Sequence, residues 1–133
     1  KYLKQINLDY AHGTGHGVGY FLNVHEGPHA ISKSNTVIFQ EGMIVSNEPG
    51  YYEKNNFGIR IENLIYVEKK RQTKKFVNLT MAPIDKELID PKILNSEEKN
   101  WINNYHKIVF KEIAPFLNND QRSWLEVSCS PIH

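Results

Sequence analysis

GMIVSNEPGYYEKNNFGIRIENLIYV, residues 42–67, carries the pattern that decides the fold. Alternation puts Ile44, Ser46 and Glu48 on one face of a strand, with Val45 and Asn47 on the other. The second apolar run puts Ile59, Ile61, Ile65 and Val67 on one face, interrupted by Asn63. Arg60 and Glu62 point the opposite way. PGYYEKNNF lies between and is rich in turn formers, with Tyr51 and Tyr52 read as packing residues. The pattern predicts two antiparallel strands joined by a loop. A carboxylate in a mostly apolar strand costs free energy to bury unless it is paired or metal-bound. Glu48 and Glu62, on neighbouring strands, repel each other if both stay ionised. A divalent cation between them removes that repulsion, and Arg60 can hold one carboxylate in orientation.

Upstream, His12-Gly-Thr-Gly-His16 places two imidazoles four residues apart. The helical zinc-protease pattern is excluded, because its glutamate is missing and glycines intervene. Gly13, Gly15, Gly17 and Gly19 alternate strictly, which fits neither a dinucleotide fingerprint nor a phosphate-cradling loop. This is a loop whose backbone approaches something closely. A short strand is expected within residues 18–25, with loop around it. Oxygen-rich ligation with one imidazole suits hard-to-borderline metals such as manganese, the kind two-metal hydrolases use. Spacing alone leaves two plainer readings open: a Glu48–Arg60 salt bridge, and histidines that cap loops. His29 is read equally as a pocket rim or a turn residue.

The flanks read as scaffold. Residues 1–8 look like the end of a helix that opens without a cap. KKRQTKK, residues 69–75, reads as a solvated hairpin tip, and FVNLTMAPI as its return strand, ended by Pro83. Residues 96–114 form an amphipathic helix with Ser96 as expected N-cap. Its stripe is Trp101, Ile102, Tyr105, Ile108, Val109 and Ile113, read as core with some subunit contact. A shorter helix is expected over residues 120–126. His106, His133 and Cys129 have no partner at ligand or catalytic spacing.

The chain has 133 residues, one domain's worth, of which 40% are hydrophobic. A charged fraction of 23% and a net charge of +1 exclude a disordered polyelectrolyte and a strong nucleic-acid binder. The single cysteine, Cys129, excludes an internal disulfide. No apolar run approaches the roughly 20 residues of a membrane span, and the N-terminus lacks signal-peptide features. All eight glycines lie between Gly13 and Gly58, and four of the six histidines lie between His12 and His29. The chemistry is expected in that stretch.

HGTGHGVGYFLNVHEGP at residues 12–28, EGMIVSNEPGYY at 41–52 and GIRIEN at 58–63 together closely resemble aminopeptidase P (Xaa-Pro aminopeptidase), of the pita-bread metallopeptidases. LTMAPID and WINNYH extend the resemblance more weakly, towards the C-terminal extension of larger, cytosolic-type members. The resemblance implies an α+β fold: the C-terminal half of a pita-bread domain over residues 1–83, an antiparallel curved sheet with flanking helices, then a helical extension over 84–133. It implies His16, Glu48 and Glu62 as metal ligands, with Glu48 also the general base. It implies His25 at the substrate and in proton transfer, His12 lining the substrate pocket, and Arg60 orienting ligands. The implied reaction releases the N-terminal residue from peptides with proline in second place, using two divalent ions, most simply Mn2+. A cytoplasmic homodimer with a peptide substrate, no nucleic acid and no membrane is implied as well. Two aspartate ligands of the family belong to a hairpin upstream of the H-G-x-G-H motif. Only Asp9 precedes His12 here, and it is outside that motif, so the chain is expected to be a fragment, inactive alone. A prolidase is the nearest alternative, disfavoured by VHEGPHAIS, where prolidases usually carry an aspartate after the histidine. A peptidase-like binding module is the other, disfavoured by the retained ligands.

Overall fold

A computed structural model describes residues 2–21 and 23–133. The chain divides into two compact units, Lys1–Thr80 and Met81–His133.

The first unit opens with a single helical turn, α1 (Tyr2–Gln5). Among the described residues seven short strands follow: β1 (Gly15–His16), β2 (Ala30–Ile31), β3 (Ile44–Asn47), β4 (Gly50–Tyr52), β5 (Gly58–Arg60), β6 (Asn63–Lys70) and β7 (Thr73–Asn78). They make three antiparallel sheets, β1-β2, β3-β6-β7 and β4-β5. The predicted pairing across residues 42–67 is present, with Val45 opposite Ile65 and Ser46 opposite Leu64. Val45, Ile65 and Val67 are buried on this sheet. The loop expected between the two strands is itself a hairpin, with Tyr51 opposite Ile59. That hairpin breaks the second apolar run. Ile59 lies in β5 and Ile61 in the link to β6, 37% and 46% exposed, while Asn63, Ile65 and Val67 are buried on β6.

The strand expected within residues 18–25 does not form among the described residues. Tyr20 and Phe21 are 97% and 79% exposed, so alternation there buries nothing. The pairing occurs earlier, at Gly15–His16, because glycine lets backbone meet backbone. A Cβ on Gly15 would lie 1.9 Å from the Ser46 carbonyl oxygen. The Glu48 N–H donates to the Thr14 carbonyl (2.8 Å) and the Val18 N–H to that of Ile44 (3.1 Å). These bonds tie the glycine-rich loop to β3. The basic run turns between β6 and β7, with Arg71 at φ 55°. Lys70 and Lys75 pair with Glu68, and Lys74 donates to the Phe39 carbonyl.

The second unit is built on α2 (Ser96–Ile113), a 3-10 turn (Ala114–Phe116) and α3 (Asn119–Ser128). Asn95 rather than Ser96 caps α2: its side chain accepts the Glu98 N–H, and the Glu98 carboxylate accepts the Asn95 N–H. Asn118 and Gln121 cap α3 in the same reciprocal way. Both helices therefore begin on an asparagine that has satisfied its own backbone. Tyr105, Val109, Ala114, Leu125 and Cys129 form the core, flanked by Met81, Ile84 and Phe110. The stripe on α2 is rotated from expectation. His106 is fully buried in it, whereas Trp101 and Ile108 are half exposed. The His106 Nε2 accepts the Ile84 N–H (3.0 Å), while its Nδ1 is buried without a hydrogen-bond partner among the described residues, so this is a core imidazole satisfied on one side only. Burial pushes its pKa down, and the nearby Lys86 charge adds to that. Burial pushes the Cys129 thiol up, as expected for an inert cysteine.

Candidate metal centre

His16 ends β1, one residue after the glycine that lets its backbone reach β3. Its N–H donates to Ser46 Oγ (2.9 Å), and its Nδ1 meets the Gly17 carbonyl oxygen at 2.9 Å. A carbonyl only accepts, so Nδ1 carries the hydrogen. That leaves Nε2 facing Glu48 Oε1 at 3.2 Å. That carboxylate oxygen is an acceptor too. Two acceptors at this distance require a proton or a cation between them.

Glu48 is buried, and both its oxygens are held. Ser46 Oγ donates to Oε1 (2.9 Å) and Arg60 Nη1 donates to Oε2 (2.9 Å). The salt bridge left open by the sequence is thus present, but it engages the oxygen away from His16. Glu62, at the exposed bend between β5 and β6, completes the group. One donor atom each from His16, Glu48 and Glu62 lies within 4.8 Å of the others, the one such cluster among the described residues. One imidazole nitrogen and two carboxylates fit a hard-to-borderline divalent ion, and the opposed lone pairs of His16 and Glu48 give that ion a place.

A second chain of bonds joins Arg60 to His12. Arg60 Nε donates to the Tyr52 hydroxyl (2.8 Å), which lies 2.8 Å from His12 Nε2. His12 Nδ1 donates to the Gly13 carbonyl (2.7 Å), so Nε2 is the acceptor and the Tyr52 hydrogen points to it. The Tyr52 hydrogen bond, together with the Glu48 and Glu62 charges, raises the Arg60 pKa against desolvation. His25 lies across the ring of His16, centroids 4.1 Å apart and planes tilted by 33°. His29 is buried, and its Nε2 donates to the Ile44 carbonyl (2.8 Å), so it ties the loop to β3 and is neither rim nor turn.

All six residues singled out as a site, His12, His16, His25, Glu48, Arg60 and Glu62, therefore lie in one connected arrangement. Sequence reasoning missed two more. Tyr52 was read as packing, yet it is 42% exposed and bonded to both Arg60 and His12. Ser46 was placed on the face of Glu48, and that two-residue spacing was the signal that its hydroxyl could reach the carboxylate.

Comparisons with known proteins match this layout. Residues 1–69 match the family described as metallopeptidase family M24, and residues 72–132 match the C-terminal region of peptidase M24. The chain is 46% identical to a probable Xaa-Pro aminopeptidase P of Laccaria bicolor, over 98% of this chain and 22% of that protein. It is equally similar to a probable Xaa-Pro aminopeptidase P of Coprinopsis cinerea, of which it covers 23%. The crystal structure of X-prolyl aminopeptidase from Caenorhabditis elegans, described as a cytosolic enzyme with a di-nuclear active site, superposes with a TM-score of 0.88. Identity there is 39%, over 98% of this chain and 23% of that one. The chain thus spans under a quarter of the length of these relatives. Its antiparallel sheets and helices are those of an α+β pita-bread fold. Matched in order along both parts of its length, the chain belongs to metallopeptidase family M24.

Proposed function

We propose that the whole protein to which this chain belongs is a two-metal aminopeptidase that releases the N-terminal residue from peptides with proline in second place. In this reading His16, Glu48 and Glu62 are metal ligands. His12 and His25 face the substrate, and Arg60 orients Glu48. The observation that carries it is the convergence of the three donor groups, with the Nε2 lone pair of His16 set against Glu48 Oε1 at 3.2 Å. The Laccaria and Coprinopsis relatives and the di-nuclear C. elegans enzyme support the substrate class and the ion count.

When bound, the ions polarise the scissile carbonyl and lower the pKa of attacking water. The chain's own residues do the rest. Arg60 holds Oε2 and Ser46 holds Oε1, so the Glu48 carboxylate cannot rotate away from the point where it takes up a proton. Tyr52 fixes the far edge of Arg60 and holds His12 Nε2, while the Gly13 carbonyl sets the His12 tautomer. His25 sits against His16 and is exposed, placed to meet a substrate and pass a proton.

Three finer readings belong to the same proposal. The ion is manganese, given the oxygen-rich donor set. The protein works as a cytosolic homodimer: the half-exposed Trp101 and Ile108 on α2 supply contact area, and the C. elegans enzyme is described as cytosolic. The catalytic part runs over residues 1–83 and the helical extension over 84–133. Three ligands do not fill the coordination of two ions, so activity depends on residues outside this chain, and the isolated chain is inactive.

The test is a comparison of substrates. With Mn2+, the whole protein should cleave a tripeptide with proline in second place. Cleavage of an Xaa-Pro dipeptide alone would make it a prolidase, and metal binding without cleavage of either would make it a binding module.

A further inference from the structure

Ser46 is fully buried in β3, and its hydroxyl bonds both His16 on β1 and Glu48 just past the end of β3. A hydroxyl has one hydrogen and two lone pairs. Here one lone pair accepts the His16 N–H (2.9 Å), and the hydrogen goes to Glu48 Oε1 (2.9 Å). The hydroxyl therefore cannot spin freely, because both of its roles are taken. It ties His16 to Glu48, residues 32 positions apart in sequence, through one oxygen atom. The Glu48 oxygen it holds is the one that lies 3.2 Å from His16 Nε2. Arg60, by contrast, holds the other oxygen. The contact exists only because Gly15 has no side chain. A Cβ there would lie 1.9 Å from the Ser46 carbonyl oxygen and would push β1 off β3.

We infer that Ser46 is a positioning residue that sets the spacing and orientation of His16 and Glu48 for cation binding. This rests on the metal-ligand reading given above. The hydroxyl holds Oε1 in one place before any ion arrives, so less ordering remains to be done on binding. Groups that orient metal ligands typically contribute about 10–100-fold to metal affinity.

The experiment uses the whole protein and Mn2+ alone, with binding measured by calorimetry and no substrate present. Ser46→Thr keeps the hydroxyl, and Ser46→Val has the same shape without it. The pair therefore isolates the hydroxyl even if the added methyl group disturbs packing. Ser46→Val should bind Mn2+ about 10–100-fold more weakly than Ser46→Thr. The melting of the metal-free protein is recorded in parallel. A merely structural serine would lower melting equally in its absence but leave the two affinities alike, and that result would overturn the inference. If the unsubstituted protein binds Mn2+ but cleaves no peptide, the proposed activity fails while the Ser46 inference can still be upheld. If it binds no Mn2+, both fall.

Discussion

At Glu48 three different donors and acceptors meet one carboxylate, and each can be removed singly. Glu48→Gln keeps the volume but removes the charge and the proton acceptor. Cleavage of a proline-second tripeptide by the whole protein should fall by about 10²–10⁴-fold, measured as kcat. Tyr52→Phe removes only the hydroxyl that accepts from Arg60 Nε and donates to His12 Nε2. A net loss of about 0.5–1.5 kcal/mol for each of the two hydrogen bonds, about 1–3 kcal/mol in all, corresponds to a fall of about 5–150-fold in kcat/KM. Unchanged kinetics would return Tyr52 to a packing role. The proposed ligands Glu48 and Glu62 stood out in the sequence as carboxylates beside apolar runs, and their role with His16 came from the motif resemblance. Tyr52 did not stand out, because a tyrosine beside turn formers reads as packing until its partner 40 positions away is known, and Ser46 showed only the face it shares with Glu48, not the His16 N–H 30 positions away.

Elements were legible where side-chain periodicity made them. The β3–β6–β7 sheet and the α2 and α3 helices follow from alternation and from the 3.6-residue stripe. β1 was not, since it is specified by an absent side chain at Gly15, which leaves no hydropathy signal. Gly15→Ala should accordingly separate β1 from β3 and abolish Mn2+ binding by the whole protein, read by calorimetry. Asn95→Ala breaks the capping box of α2 and should destabilise its first turn by about 1 kcal/mol. Amide exchange of that turn should then quicken by about fivefold. His106 gives α2 a pH dependence. Its folded pKa lies below the ordinary 6.5, so the unfolded chain takes up a proton first as pH falls. The helical unit should lose stability as pH drops from 6.5 towards the lowered value, and level off beneath it. Hydrogen exchange at Ile84 reports this directly, because its N–H is bonded to the nitrogen that must be protonated. His106→Gln should flatten the dependence.

For the whole molecule, composition alone suggested one small domain, and the two units and two matched family regions replace that picture. Length could not reveal it, because 133 residues is an ordinary domain size while the relatives are more than four times longer. The crowding of glycine and histidine between Gly13 and Gly58 marks one side of a site, with the glycines opening the backbone and His16, Glu48 and Glu62 converging beyond it. The glycine-free remainder is strand return and helix, where periodicity needs no such openings. The account turns on that convergence being a metal site that works on peptides. Calorimetric titration of the whole protein with Mn2+, alongside His16→Ala, with the same samples given a proline-second tripeptide, tests it most directly. Two bound ions with cleavage, and loss of tight binding and cleavage together in His16→Ala, is the result expected from the di-nuclear relative and the geometry here. Unchanged ion binding in His16→Ala, or a metal-loaded protein that leaves the tripeptide whole, would contradict it.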